Sequence, residues 1–395
     1  MLEGIRVVEM GVWVAGPGAG GVLADWGADV IKVEAPAGDP MRRMLAVTGG
    51  GRADFPSPPF DLDNRGKRSI VLDLADPDGA DRAAMDALLA TADVFLTNLR
   101  PDAVARLGLG HERLLGRNPR LVYAGVTGYG REGPDAGRAG YDVGAFWARS
   151  GLASLAVPAD DPQPSFRGGV GDHVTAITTV AGILAALLER ERTGRGRLVE
   201  TSLLRTGIWC LGWDMGIHLR LGGTAPTWPR TEAGNPMVNS YRDRDGRWFW
   251  LLGVEADRMW PKLLAAVDRR EWADDERFRT ARDRRHHATE LIALLDDLFA
   301  TRTRDEWTAD FDAHDVWWAP VNTIGEVVED AQAIATGAFV DVPAGAGSDA
   351  HRAAATPVSF PTADGDDDAR PRGAVPALGE HTDEILDELG AATSQ

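Results

Sequence analysis

The first third of the chain alternates short apolar runs with amphipathic stretches. Ile5–Met10 has the length and composition of a buried strand, Gly16–Gly21 that of a turn, Gly20–Trp26 that of a helix, and Ala28–Glu34 that of a second strand. Strand, turn, helix and strand make a βαβ unit, which implies a parallel sheet. Ser69–Leu74 reads as a further strand and Asp76–Ala92 as an amphipathic helix. Val94–Thr97 and Leu121–Val126 read as two more buried strands. Residues 1–130 therefore predict an α/β fold on an open sheet.

His173–Arg192 carries the clearest helical period: Val174, Ile177, Val180, Ala181, Leu184, Leu187 and Leu188 share a stripe. Asp172 is placed at its N-cap, and Gly194 follows its last turn. Residues 223–250 read as loop and then hairpin, with Asp245-Gly246 turning into a strand at Trp248–Val254. Arg258–Asp312 is mostly helical and charged, in the manner of a small second domain. Gly379–Leu389 forms a last short helix.

Composition narrows the function classes. The 395 residues include 42 basic and 60 acidic ones, a net charge of −18. That balance argues against nucleic acid or an anionic membrane as partner. Cys210 is the only cysteine, so no disulfide framework or cysteine-based metal site forms within the chain. His286, His287, His314 and Asp315 are a candidate metal set, but their context is charged helix and loop, so no metal is expected. The longest apolar run, Val180–Leu188, is far short of the ~20 residues that span a bilayer. The first residues enter a strand pattern at once, so a cytoplasmic location is expected.

Gly16, Gly18 and Gly21 spell G-x-G-x-x-G between strand and helix, and Glu34 ends the next strand. Such a fingerprint predicts a pyrophosphate at the helix start and an acidic side chain on a ribose, as in a NAD-binding oxidoreductase. The competing reading is a tight turn in which only glycine packs. Pro17 removes one backbone N–H from any such cradle.

The sequence as a whole resembles the family III CoA-transferases, which include formyl-CoA transferase, carnitine CoA-transferase and α-methylacyl-CoA racemase. The likeness is carried by residues 2–42, from LEGIRVVEMGVWVAGPGAGG to GDPMR, then by NRGKRSIVLDL, TNLRPDAVARLG, RLVYAGVTGYGREGP, AGYD, GDHVTAITTVAGILAALLERERTGRGRLVETSLL and LGEHTDEILDELG. It implies a Rossmann-like large domain and a smaller α+β domain in ring-like subunits interlocked as a homodimer. The large domain would cover residues 1–205, a linker 206–225, the small domain 226–325, and 326–395 would return to the large domain. Acyl-CoA and a carboxylic acid would be substrates, with no permanently bound cofactor.

The resemblance also implies site residues. Val12, Trp13, Val14, Ala15, Arg42, Arg43, Leu72, Asn98, Leu99, Arg106 and Leu107 match CoA contacts. Asp172, in the Gly171-Asp172 pair, matches the nucleophile. A carboxylate is ionised at neutral pH and attacks without a separate base, and a helix start favours its charged form. The alternative for Asp172 is a plain capping role. At Gly140-Tyr141-Asp142 the racemases carry a histidine where Tyr141 stands; tyrosine is a poor base near neutrality, which favours transferase over racemase or epimerase. Tyr141 and Asp142 are candidate substrate contacts, Asp142 being equally suited to holding a loop. His173, adjacent to Asp172, reads as structural. The stretch Ala233–Tyr241 lacks the glycine run that formyl-CoA transferase carries over its active site.

Charge is unevenly spread. Gly38–Arg68 holds six basic and four acidic residues, and Pro361–Gln395 two basic and nine acidic. Arg42, Arg43, Arg65, Lys67 and Arg68 thus suggest a phosphate site screened from a distant acidic tail. Trp13, Trp147, Trp209 and Trp213 fall near segments suited to an acyl pocket, with core or interface packing as the alternative.

Overall fold

The computed structural model describes residues 1–44, 57–363 and 367–393. They form two compact units. The first comprises Met1–Ala153, Ser165–Thr224 and Ile334–Gln395, and the second Ser154–Pro164 and Ala225–Ala333.

In the first unit, β1 (Arg6–Met10), β2 (Asp29–Glu34), β3 (Arg68–Val71), β4 (Val94–Thr97), β5 (Val122–Thr127) and β6 (Leu198–Ser202) make one sheet. Its order is β3-β2-β1-β4-β5-β6, and every pair is parallel. Register explains the two-sided burial. Val30, Val7, Val94 and Val122 stand side by side across the strands, and so do Ile31, Val8, Phe95 and Tyr123. Successive side chains point to opposite faces. The first row packs under α1 (Ala15–Asp25) and α6 (Val170–Thr193). The second row packs under α3 (Ala80–Ala90), α4 (Pro101–Arg106) and α5 (His111–Arg117). A short helix, α2 (Pro58–Asn64), precedes β3. After β6 come α7 (Leu203–Cys210) and α8 (Gly212–Leu221).

Three expectations are corrected here. The glycine segment is not a turn: Gly16, Gly18, Gly20 and Gly21 all lie within α1. Asp172 is not the N-cap of α6. That position is Gly169, and Asp172 sits in the first helical turn. The buried stripe of α6 is also rotated. It runs through Gly171, Thr175, Ala176, Thr179, Val180, Ile183 and Leu187, while Val174 and Leu188 are exposed. Small residues win because α1 lies close; a Cβ on Gly18 would sit 3.3 Å from the Cβ of Ala176. Thr175 and Thr179 are buried because their hydroxyls bond the carbonyls of Gly171 and Thr175, each at 2.8 Å.

The 24-residue α6 is long and apolar enough, by length and composition, to cross a membrane, which the short apolar run in the sequence did not suggest. In this fold its inner face is core, packed on the sheet and α1.

The second unit has an antiparallel sheet of β7 (Val238–Arg242), β8 (Trp248–Leu252) and β9 (Trp318–Pro320). It packs on α9 (Ala256–Ala266), α11 (Ala288–Phe299) and α12 (Arg304–Ala313), with α10 (Ala281–His286) between the first two. The Asp243–Gly246 turn joins β7 to β8, and the Asp243 carboxylate accepts the amides of Asp245 and Arg247. The core is aromatic, built around Tyr241, Phe249, Phe299, Trp307 and Phe311.

The C-terminal segment belongs to the first unit. A hairpin of β10 (Phe339–Val342) and β11 (His351–Ala354) is followed by α13 (Thr382–Thr393), whose Ile385 and Leu389 join the core beneath the sheet.

Candidate active site

Strand order reverses between β1 and β4, and loops leaving the carboxyl ends of neighbouring strands diverge there to leave a crevice. A cavity of about 100 Å³ lies at this point. Its first wall is the Gly11–Val14 turn between β1 and α1. Trp13 adopts a left-handed backbone, φ 66°, a costly conformation for a bulky residue. Neighbours hold the turn in place. The Trp13 amide donates to Asp39 Oδ1 at 3.1 Å. The Val12 amide donates to Asn98 Oδ1 at 2.9 Å, and Asn98 Nδ2 donates back to the Val12 carbonyl at 2.7 Å.

Asp39 is fixed from below by a buried charge cluster. Lys32 Nζ lies 3.1 Å from Asp39 Oδ2 and donates to Glu9 Oε1 and to the Gly11 carbonyl. Lys67 reaches the other Glu9 oxygen at 2.6 Å. Both cations hold the Glu9 carboxyl below its ordinary range against the opposing effect of burial.

The opposite wall comes from the β5 exit and residues 138–141. Gly128 and Gly140 meet back to back; a Cβ on Gly128 would lie 2.9 Å from the Gly140 Cα. Tyr141 sets its ring edge-on to Trp13, centroids 5.9 Å apart. Asp172, from the first turn of α6, completes the lining.

Asp172 departs from expectation. Burial first, and then the negative charge of Asp142, push its carboxyl up to about 7, with His173 opposing and Asp63 adding to the rise. Two of the amides at the helix start are turned to Asp142 rather than to Asp172. Asp142 Oδ2 accepts Gly169 N at 2.7 Å and Gly171 N at 3.3 Å. His173 does not line this cavity; its Nε2 meets the buried Asp63 Oδ1 at 3.0 Å. That hydrogen bond raises the imidazole above its ordinary value.

Of the residues singled out in the sequence, Val12, Trp13, Ala15, Asn98, Leu99, Tyr141 and Asp172 line the cavity together. The others lie elsewhere. Val14 is buried with Met41 and Phe60. Leu72 and Leu107 pack beneath the sheet. Asp142 is buried behind the start of α6. Arg42 grips Glu34 through two nitrogens and donates to the Pro376 carbonyl. Arg43 donates to the Ala37 carbonyl. Arg106 is exposed at the end of α4. Arg100 and Arg138 also line the cavity and went unnoticed. Both flank recognised positions, in Asn98-Leu99-Arg100 and three residues before Tyr141.

The expected cationic patch is largely spent internally. Arg65 is buried on Asp25, and Lys67 is buried on Glu9. Arg68 pairs with Asp29 and, at 3.0 and 2.7 Å, with Glu384 and Glu388 of α13. The acidic tail is therefore not distant; it neutralises part of the patch. Arg52 and Asp364–Asp366 lie outside the described residues. Of the four tryptophans, Trp13 alone lines this cavity. Trp147 stacks on Phe166 at 4.6 Å, and Trp209 and Trp213 are each 83% exposed.

The dinucleotide reading fails on geometry. The glycines are helical, and Glu34 is committed to Arg42, the Ser69 hydroxyl and the Asp39 amide. They serve close packing instead. A Cβ on Gly21 would lie 2.7 Å from the Asp63 carbonyl oxygen.

The chain belongs to CoA-transferase family III, whose family model matches residues 2–382; it is an enzyme of that family. It is 29% identical to the (R)-2-hydroxy-4-methylpentanoate CoA-transferase of Clostridioides difficile, over 99% of this chain and 96% of that one. To the succinate–glutarate CoA-transferase of Agrobacterium fabrum it is 34% identical, over 98% and 95%. A solved CaiB/BaiF family structure from Brucella suis superposes with a TM-score of 0.85 at 31% identity, covering 98% of this chain and 99% of that one.

Proposed function

We propose that the enzyme moves coenzyme A from an acyl-CoA donor to a carboxylic acid, with Asp172 as nucleophile. The observation carrying this reading is a half-buried carboxylate in the switch-point cavity, walled by Trp13, Asn98 and Tyr141. An ionised Asp172 oxygen attacks the thioester carbonyl; the C–S bond breaks, and an acyl-aspartyl anhydride and CoA thiolate result. The thiolate attacks the aspartyl carbonyl, which releases the donor acid and leaves an aspartyl-CoA thioester. The acceptor carboxylate attacks that thioester and expels the thiolate. The thiolate then takes the acceptor's acyl group and restores Asp172. No step consumes a net proton, so the group needs only to be ionised when substrate arrives.

Backbone amides around Gly128 and Gly140 are the proposed stabilisers of each oxyanion, since glycine lets substrate approach the chain closely there. Arg100, Arg106 and Arg138 are the proposed partners of the CoA phosphates, for which guanidinium forks are suited. Arg42 and Arg43 would contribute through the backbone they brace. Tyr141 in place of histidine supports transfer over racemisation. The proposed assembly is an interlocked homodimer, with a small domain at 226–325; a monomeric mass by light scattering would refute it.

The test is intact-mass spectrometry after incubation with acetyl-, succinyl- and phenylacetyl-CoA. Wild type should carry a covalent adduct that Asp172→Ala lacks. Full transferase activity in Asp172→Ala would overturn the reading.

A further inference from the structure

Asp142 has a place in this site that its position outside the cavity lining hides. Its side chain is buried, and both its oxygens are used. Oδ1 accepts the Val143 amide at 2.8 Å, where the wide helical turn Val143–Ala148 begins. Oδ2 accepts Gly169 N and Gly171 N, at 2.7 and 3.3 Å. One carboxylate thus ties that turn to the start of α6. Both contacts from the α6 side depend on glycine. Gly169 has φ 92°, and a Cβ on Gly171 would lie 2.5 Å from the ring of Phe146.

We infer that Asp142 is a positioning residue for Asp172. It fixes the first turn of α6, takes two amides at the helix start, and sets a second acidic group beside the nucleophile. The inference rests on the assignment of Asp172 as nucleophile. The charged groups acting on Asp172 are Asp142, Asp63 and His173. His173 is bonded to Asp63, so its positive charge is partly offset. Asp142, by contrast, bonds backbone amides and no cation among the described residues. A carboxylate kept basic by such a neighbour is a stronger nucleophile once ionised, at the expense of its ionised fraction below neutrality.

Asp142→Asn keeps an oxygen for the α6 amides and removes the charge. The experiment follows adduct formation on Asp172 against pH, with whichever donor of the acyl-CoA panel labels wild type. The midpoint of the acid limb should fall by about one pH unit in Asp142→Asn, with a severalfold lower plateau above it. Asp142→Glu should restore the midpoint, which a merely structural role would not predict. If Asp142→Asn does not fold, Asp142→Ser provides the same readout. An unmoved midpoint, with wild type still labelled on Asp172, overturns the inference and leaves the nucleophile assignment standing. No label on Asp172 in wild type overturns both.

Discussion

Asn98 clasps Val12 on both sides of its backbone, with Oδ1 2.9 Å from the Val12 nitrogen and Nδ2 2.7 Å from its carbonyl oxygen. The two residues are far apart in sequence and meet because they leave adjacent parallel strands, β1 and β4. The clasp and the Asp39 bond are what hold Trp13 in its left-handed conformation. Asn98→Ala should therefore raise KM for the acyl-CoA about tenfold, with a smaller change in kcat, and destabilise the fold by about 1–3 kcal/mol. Steady-state kinetics and denaturant unfolding check this; an unchanged KM would detach the clasp from substrate binding.

The raised Asp172 carboxyl has a stability signature. Its folded value is about 7, above the ~3.9 of an unfolded aspartate. Between these values the native state holds the proton more tightly, so stability falls as pH rises through that window. Asp172→Asn lacks this dependence. Its melting temperature should exceed that of wild type by more at about pH 8 than at about pH 4.5. A difference of equal size at both would show that Asp172 titrates normally.

Activity that depends on ionised Asp172 should rise with pH through about 7. Lowered activity above that point, with no acid limb, would contradict a carboxylate nucleophile in this environment.

The glycines of α1 are tested by substitution. Gly21→Ala would push a methyl to 2.7 Å from the Asp63 carbonyl oxygen. A backbone atom cannot swing aside as a side chain can. The cost should be about 1–3 kcal/mol or more, read by chemical denaturation. Titration with NAD should give no saturable signal in wild type. Saturable NAD binding would revive the dinucleotide reading.

Much of the sheet was legible, because β1, β2, β4 and β5 are short segments rich in apolar residues and buried on both faces, broken in β1 and β2 by charges such as Glu9 and Lys32 that pair inside. β6 carries a weaker signal: Leu198-Val-Glu-Thr-Ser is an edge strand of mixed apolar and polar residues, and its burial is partial. The glycine segment misled for a physical reason. A G-x-G-x-x-G spacing marks close approach of backbone, and here the approaching partners are Asp63 and Ala176 rather than a pyrophosphate. The α6 stripe was misplaced because large apolar residues outweigh Thr and Ala in any periodicity count, whereas the close α1 contact selects the small ones. Asp172, Asn98 and the Val12–Ala15 turn were legible only through the family's motifs. Composition had no means of showing that Arg65, Lys67 and Arg68 find acidic partners within the fold.

The central claim is that Asp172 carries the acyl group and then CoA. The most direct measurement uses an acceptor acid labelled with heavy oxygen in its carboxylate, in a single turnover, followed by peptide mass mapping. When the acceptor attacks the aspartyl thioester and CoA then takes its acyl group, the bridging oxygen stays behind. The peptide containing Asp172 should gain one heavy oxygen and the product acyl-CoA should lose one. Retention of all label in the product and free acid, with none on Asp172, would contradict the account.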